Sequence, residues 1–251
     1  MKLSGYLLTS DQHQIHYDRF KTGHKKVIII AHGFFNSKQA VLLKQLAEAL
    51  NDEYDVISFD FRGHGQSQGM FFWTSKEYLD LLSIVEYASK DYEVIGLIGL
   101  SLGAATSIIA ASKTSLINSI IAISAPVEFG KIDYRFWKLN LKNDIFYNLF
   151  GAGRHGKGVR PGPFWFKKEK PSEIVKKTAT PIFYIHGDSD WVIRQWHSEE
   201  LYNNTTALKR LRVIKNGPHA EYLFLEHKDE MLRLIREWFH ATLPPIKPRY
   251  N

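Results

Sequence analysis

Val94-Ile95-Gly96-Leu97-Ile98-Gly99-Leu100-Ser101-Leu102-Gly103-Ala104-Ala105 decides the fold. Val94 to Gly99 reads as a short apolar strand, and Leu102 to Ser112 as an Ala-rich helix. Between them, Gly99-Leu100-Ser101-Leu102-Gly103 puts a serine on the connecting turn. A serine that attacks a carbonyl must expose its oxygen on a sharp turn. A strand-to-helix elbow supplies that turn, and small residues two before and two after relieve the crowding. The helix N-terminus also points free N–H groups and a positive dipole end at the site. The five-residue pattern alone arises often by chance; the strand before and the helix after make it specific. The competing reading is a tight turn with an idle serine.

Outward from this elbow the same alternation continues. Val27 to Ala31 is a β-branched run, as expected of a strand buried on both faces. Tyr54 to Phe59, Ile120 to Ser124, Pro181 to His186 and Leu211 to Ile214 are further strands. Ser37 to Leu50, Thr74 to Lys90 and His227 to His240 carry apolar residues at helical spacing. Residues 1 to 20 alternate in polarity around Ser10-Asp11-Gln12 and read as an opening hairpin. Strands alternating with helices predict an α/β fold: a mostly parallel sheet covered by helices on both faces. The alternation breaks between Pro126 and about Val175, too long a stretch for a plain connection. It is expected to be an insertion packed over a single domain that spans residues 1–251.

Four loops follow the predicted strands. His32-Gly33-Phe34 ends the Val27 strand. The small Gly33 admits a ligand, and the Phe34 N–H is expected to join that of Leu102 in holding a developing oxyanion. Asp60-Phe61-Arg62-Gly63-His64-Gly65-Gln66-Ser67 reads as scaffold, with Asp60 and Arg62 as a candidate pair and His64 as a lesser catalytic candidate. His186-Gly187-Asp188-Ser189-Asp190 follows the penultimate strand, and Asp188 and Asp190 compete as the acid. Gly217-Pro218-His219 follows the last strand. That position, in a loop able to bring an imidazole over Ser101, singles out His219 among eleven histidines. The resulting chain order is Ser, Asp, His.

These motifs, spread from His32 to His219, resemble the α/β-hydrolases from end to end. The His-Gly-Phe turn, the Asp-Phe-Arg-Gly-His-Gly-Gln-Ser loop and the Gly-Leu-Ser-Leu-Gly elbow are similar to those of the monoglyceride-lipase, carboxylesterase and serine-aminopeptidase branch. In that branch the acid is the last residue of a Gly-x-x-Asp turn, so the resemblance implies Asp190. It also implies Phe34 and Leu102 as oxyanion donors, and a cap made by the insertion from Pro126 to about Val175. The activity implied is that of a serine esterase using Ser101, His219 and Asp190 through an acyl-enzyme. A thioesterase, amidase or aminopeptidase on the same site is the alternative. A binding protein without activity has no reason to keep all three residues.

The chain of 251 residues is 44% hydrophobic and 24% charged, ordinary for a soluble globular protein. It contains no cysteine, which excludes disulfides, thiolate catalysis and cysteine-ligated zinc. No cofactor or metal is expected, and the partner expected is a small acyl substrate rather than a nucleic acid. The opening residues carry no long apolar run, so no secretory signal is expected and the cytoplasm is the expected compartment. The formal charge of +7 is compatible with anionic surfaces or with solubility alone, and nothing in the sequence argues for membrane contact. Much of the excess lies in the cap, where aromatics such as Phe129, Trp137, Phe164, Trp165 and Phe166 alternate with basic residues such as Arg154, Lys157, Arg160 and Lys168. An apolar acyl pocket with a basic rim, favouring anionic esters, is one expectation; a packed and solvated cap is the other.

Overall fold

The computed structural model describes residues 1–132 and 159–246. One sheet organises them. Its strands are β1 (Lys2–Leu8), β2 (Gln14–Phe20), β3 (Lys26–Ala31), β4 (Asp55–Phe59), β5 (Val94–Leu100), β6 (Ser119–Ile123), β7 (Ile182–Gly187) and β8 (Lys209–Ile214). They lie in the order β1-β2-β4-β3-β5-β6-β7-β8. β1 pairs antiparallel with β2, and β2 antiparallel with β4; every later pairing is parallel. The first crossover places β3 inside β4, and the chain then winds the other way from β3 to β8. Loops at the carboxyl ends of β3, β5, β7 and β8 therefore gather at one edge.

Helices cover both faces. On one side lie α2 (Glu77–Ser89), α3 (Leu102–Ala111) and α5 (Trp196–Asn204); on the other lie α1 (Val41–Leu50), α6 (Ala220–Glu226) and α7 (Lys228–Thr242). A single turn, α4 (Pro171–Ile174), precedes β7. The pleat divides β3 between two cores. Val27, Ile29 and Ala31 pack with Leu81, Ile84 and Ile108, whereas Ile28 and Ile30 pack with Leu43, Leu46, Ile235 and Phe239. This is why the strand carries no polar alternation.

Two helices begin later than their apolar spacing suggests. Ser37 to Ala40 forms a turn, with the Ala40 N–H donating to the Ser37 carbonyl at 3.0 Å and the Lys38 N–H donating to Asp60 at 2.7 Å. Before α2, Trp73 and Thr74 sit at φ of +57° and +74°, outside the right-handed helix. Helices α5 and α6 were not expected from the sequence. In α5 only His197, Ser198 and Leu201 are buried, too few apolar positions to draw a stripe. The cap expected over 126–175 is described at its two ends; its centre, residues 133–158, lies outside the described residues. No helix among the described residues is long and apolar enough to cross a membrane.

Candidate active site

Ser101 stands at the junction of β5 and α3 with φ +53° and ψ −111°. Non-glycine residues seldom adopt this conformation, which costs about 1–3 kcal/mol and is held by its surroundings. Its N–H donates to the Ile123 carbonyl at 2.8 Å, fixing the elbow to the next strand. Gly103 makes the turn fit: a Cβ there would lie 2.1 Å from the Ala31 carbonyl oxygen. Helix α3 thus begins pressed against the end of β3, and the Leu102 N–H stands in its first turn.

His32, Gly33 and Phe34 leave β3 beside this elbow. His32 is buried and bridges two loops: Nδ1 donates to the Gly33 carbonyl at 2.7 Å, and Nε2 accepts from the Phe61 N–H at 3.0 Å. Burial pushes its pKa down to about 4, so it stays neutral. The space above the Gly33 Cα is shared: a Cβ there would lie 3.5 Å from the Ser101 Cβ and 3.8 Å from a carboxylate oxygen of Glu221. Glu221 is two residues beyond His219, so the serine turn and the start of α6 converge on Gly33. The Phe34 ring stacks on Phe71 at 4.8 Å, within an apolar cluster of Phe71, Leu102 and Val159 flanked by Phe35 and Trp73.

The structure brings Asp190 and His219 together. Nδ1 of His219 lies 2.7 Å from Oδ2 of Asp190. The other oxygen of Asp190 accepts from the N–H groups of Val192 (2.9 Å) and Ile193 (2.8 Å). Burial alone would raise the Asp190 pKa; the neighbouring His219 and His186 outweigh it and hold the carboxyl well below its usual range. The same pairing acts in reverse on His219: burial opposes its charge, but Asp190 and then Glu221 raise its pKa above the ordinary value. The two loops fit because both glycines are bare. A Cβ on Gly187 would lie 2.0 Å from the Gly217 carbonyl oxygen, and Ser189 donates to that same oxygen at 3.0 Å. Asp188, the competing acid, is exposed, and among the described residues its carboxylate accepts from Ser189 Oγ. No hydrogen bond joins Ser101 Oγ to His219 Nε2 among the described residues. Such contacts commonly tighten only once substrate is bound.

Three residues of this site escaped the sequence reading. His186, at the end of β7, donates from Nε2 to the Ile193 carbonyl at 2.8 Å, lies 3.3 Å from Asp190, and receives Ser198 Oγ at Nδ1. Ser124, at φ +51°, accepts the Ala220 N–H at 3.1 Å and so ties the start of α6 to the end of β6. Glu221 binds Asn36 at 2.6 Å. Only His186 had a signal: it opens the same turn as Asp190.

The loop after β4 is scaffold, but not through the expected pair. Asp60 and Arg62 face different partners. Asp60 accepts from the Lys38 and Gln66 N–H groups, while Arg62 forks onto Asp11 on one side and Asp80 on the other. His64 is fully buried, donates to the Arg62 carbonyl at 3.0 Å, and is kept neutral by burial. Arg160, counted with the basic cap, is used up here: its guanidinium binds the carbonyls of His64, Gly65, Ser67 and Gly69. Lys131 and Lys170 are paired with Glu128. Arg154 and Lys157 lie outside the described residues.

A strained serine just after β5 and an Asp–His pair after β7 and β8 thus stand at one edge of this sheet. Residues 26–143 match the family model of the alpha/beta hydrolase fold. The chain has the α/β-hydrolase fold. An esterase from Pyrococcus furiosus, Pf2001, superposes on this chain with a TM-score of 0.80 at 23% identity, over 96% of this chain and 93% of its own. Naproxen esterase (carboxylesterase NP) from Bacillus subtilis superposes with a TM-score of 0.75 at 17% identity, over 95% and 92%. Among curated proteins, YqkD of Bacillus subtilis is 27% identical over 213 residues, 77% of this chain. This chain spans 64% of the length of YqkD.

Proposed function

We propose that this chain is a serine hydrolase that cleaves carboxylic esters through an acyl-enzyme. The observation that carries the reading is the convergence at Gly33 of a strained serine and Glu221, two residues beyond a histidine already paired to a buried carboxylate. With Nδ1 engaged by Asp190, His219 offers Nε2 to the serine. It takes the proton of Ser101 as Oγ attacks the carbonyl carbon. The N–H groups of Phe34 and Leu102 receive the oxyanion. The imidazolium, stabilised by Asp190, then protonates the leaving group. Water, deprotonated by the same histidine, releases the acid and restores Ser101.

The apolar cluster of Phe34, Phe71 and Leu102 lies against the proposed oxyanion donors and suits an apolar acyl group, at about 0.8 kcal/mol for each buried CH₂. The esterases with the same fold support an ester as the bond cleaved. Matched ester, thioester and aminoacyl-amide substrates test the choice. The ester is expected to give the highest kcat/KM, and a higher value for either other class would assign the site to that chemistry instead.

A further inference from the structure

Arg160 to Lys168 closes the described part of the cap and holds aromatic rings outward. Phe164 and Trp165 are 67% and 72% exposed, and Phe166 and Met70 beside them are 39% and 50% exposed. Phe164 meets Trp165 at 5.7 Å, Trp165 stacks on Phe166 at 6.4 Å, and Phe166 in turn meets the half-buried Phe72 edge-on at 5.5 Å. The backbone beneath them is tied down. The Phe71 N–H donates to the Arg160 carbonyl at 2.8 Å, Gly162 donates back to Phe71 at 2.9 Å, and Trp73 Nε1 donates to the Gly162 carbonyl at 2.8 Å. Lys168 Nζ donates to the Phe164 and Phe166 carbonyls. Adjacent large aromatics held in water on a braced turn form the kind of apolar patch that marks an interaction surface.

The charges around the patch have one sign. Lys76 lies over the rings of Phe72 and Phe166, at 4.9 and 5.5 Å, and Lys167 and Lys168 follow directly. The nearby carboxylates are already taken: Glu169 pairs with Lys113 at 2.7 Å and Glu128 with Lys170 at 2.7 Å. Among the described residues, Lys76, Lys167 and Lys168 have no carboxylate partner. We propose that this face docks on an anionic membrane surface, with Phe164, Trp165 and Phe166 entering the headgroup layer and Lys76 and Lys167 facing lipid phosphates. Protein interfaces deplete lysine from their centres, whereas aromatic tips ringed by lysine suit the lipid interface. A second copy meeting this face about a two-fold axis would set like charges against each other. The docking is peripheral and does not depend on the ester-cleavage reading.

The test is co-sedimentation of the full chain with phosphatidylcholine vesicles, with and without phosphatidylglycerol, at low and high salt. Wild type is expected to bind the anionic vesicles and to lose binding as salt rises. Phe164→Ser with Trp165→Ser should weaken binding about tenfold or more, and Lys167→Glu about fivefold or more on anionic vesicles alone. Trp165→Ser by itself serves should the double variant fail to fold. Circular dichroism and light scattering on each variant establish folding and oligomeric state. Equal sedimentation of wild type and the aromatic variants would overturn the proposal, as would indifference to phosphatidylglycerol. A wild-type dimer that Trp165→Ser dissociates, without vesicle binding, would assign the face to a second copy instead.

Discussion

Asp190 is shared between a histidine and its own loop: Oδ2 meets His219 Nδ1 at 2.7 Å while Oδ1 accepts two backbone N–H groups. The carboxylate is therefore fixed before any substrate arrives, and with it the imidazole. Replacing it by an amide keeps the backbone bonds only if the carbonyl faces them, which turns an N–H₂ toward Nδ1 and favours the wrong tautomer. Asp190→Asn is expected to lower kcat by about four decades. Asp188→Asn, at an exposed carboxylate, is expected to stay within about threefold of wild type. Steady-state rates on one ester decide between them, and the reverse order would put the acid at Asp188.

The base must be neutral to act, so activity should rise with pH through the His219 pKa. Asp190 and Glu221 raise that pKa above the ordinary 6.5. The limb in kcat/KM is therefore expected on the alkaline side of about 6.5. Glu221→Gln removes a carboxylate that favours the imidazolium, and should move the limb to lower pH. A pH–rate profile of both proteins checks this; a limb that moves upward would contradict the electrostatics described.

Gly103 and Gly33 are expected to fail in different ways. A Cβ on Gly103 would meet the Ala31 carbonyl oxygen at 2.1 Å, and the backbone there has nowhere to go. Gly103→Ala should cost about 2–4 kcal/mol or leave the protein insoluble. A Cβ on Gly33 meets nothing nearer than 3.4 Å. Gly33→Ala should fold normally, yet crowd the space beside Ser101 and lower kcat/KM. Urea unfolding paired with kinetics separates the two, and wild-type kinetics for a folded Gly33→Ala would remove Gly33 from the site.

Glu77 supplies a pH signature of stability. Burial, then the neighbouring Asp80, raises its pKa from 4.5 to about 7. The folded state holds this proton more tightly than the unfolded one. Its contribution is therefore fully present below about pH 4.5 and is lost as pH rises through about 7. Glu77 accepts the Phe72 N–H at 2.6 Å, a bond that a glutamine carbonyl can keep. Glu77→Gln is expected to flatten the decline in stability between pH 5 and 8, measured by urea unfolding. An unchanged slope would place the titration elsewhere.

Much of this site is legible in the sequence, for a physical reason. Ser101, Asp190 and His219 each follow a strand, and strand ends are marked in the sequence by β-branched runs meeting glycine. What stayed hidden depends on contact across the chain. Arg62 shows no sign in sequence of choosing Asp11 and Asp80 over Asp60; those partners come from the turn between β1 and β2 and from α2, which only the fold brings to it. The turn that precedes α1 gives its Lys38 N–H to Asp60, a partner 22 residues on that sequence does not announce. The role of Glu221 arises only because α6 is brought back against the loop after β3. Charge in the cap was legible as composition, but not that Arg160 spends its guanidinium on loop carbonyls.

The central claim is that Ser101 is a nucleophile activated by His219, and covalent labelling tests it most directly. A fluorophosphonate probe reacts with a serine whose hydroxyl a base has activated, and tryptic mass spectrometry locates the adduct. The account predicts one adduct per chain, on the peptide bearing Ser101, absent in Ser101→Ala and slowed by about three decades in His219→Ala. A probe that leaves Ser101 unmodified, or that labels it equally fast without His219, would contradict it.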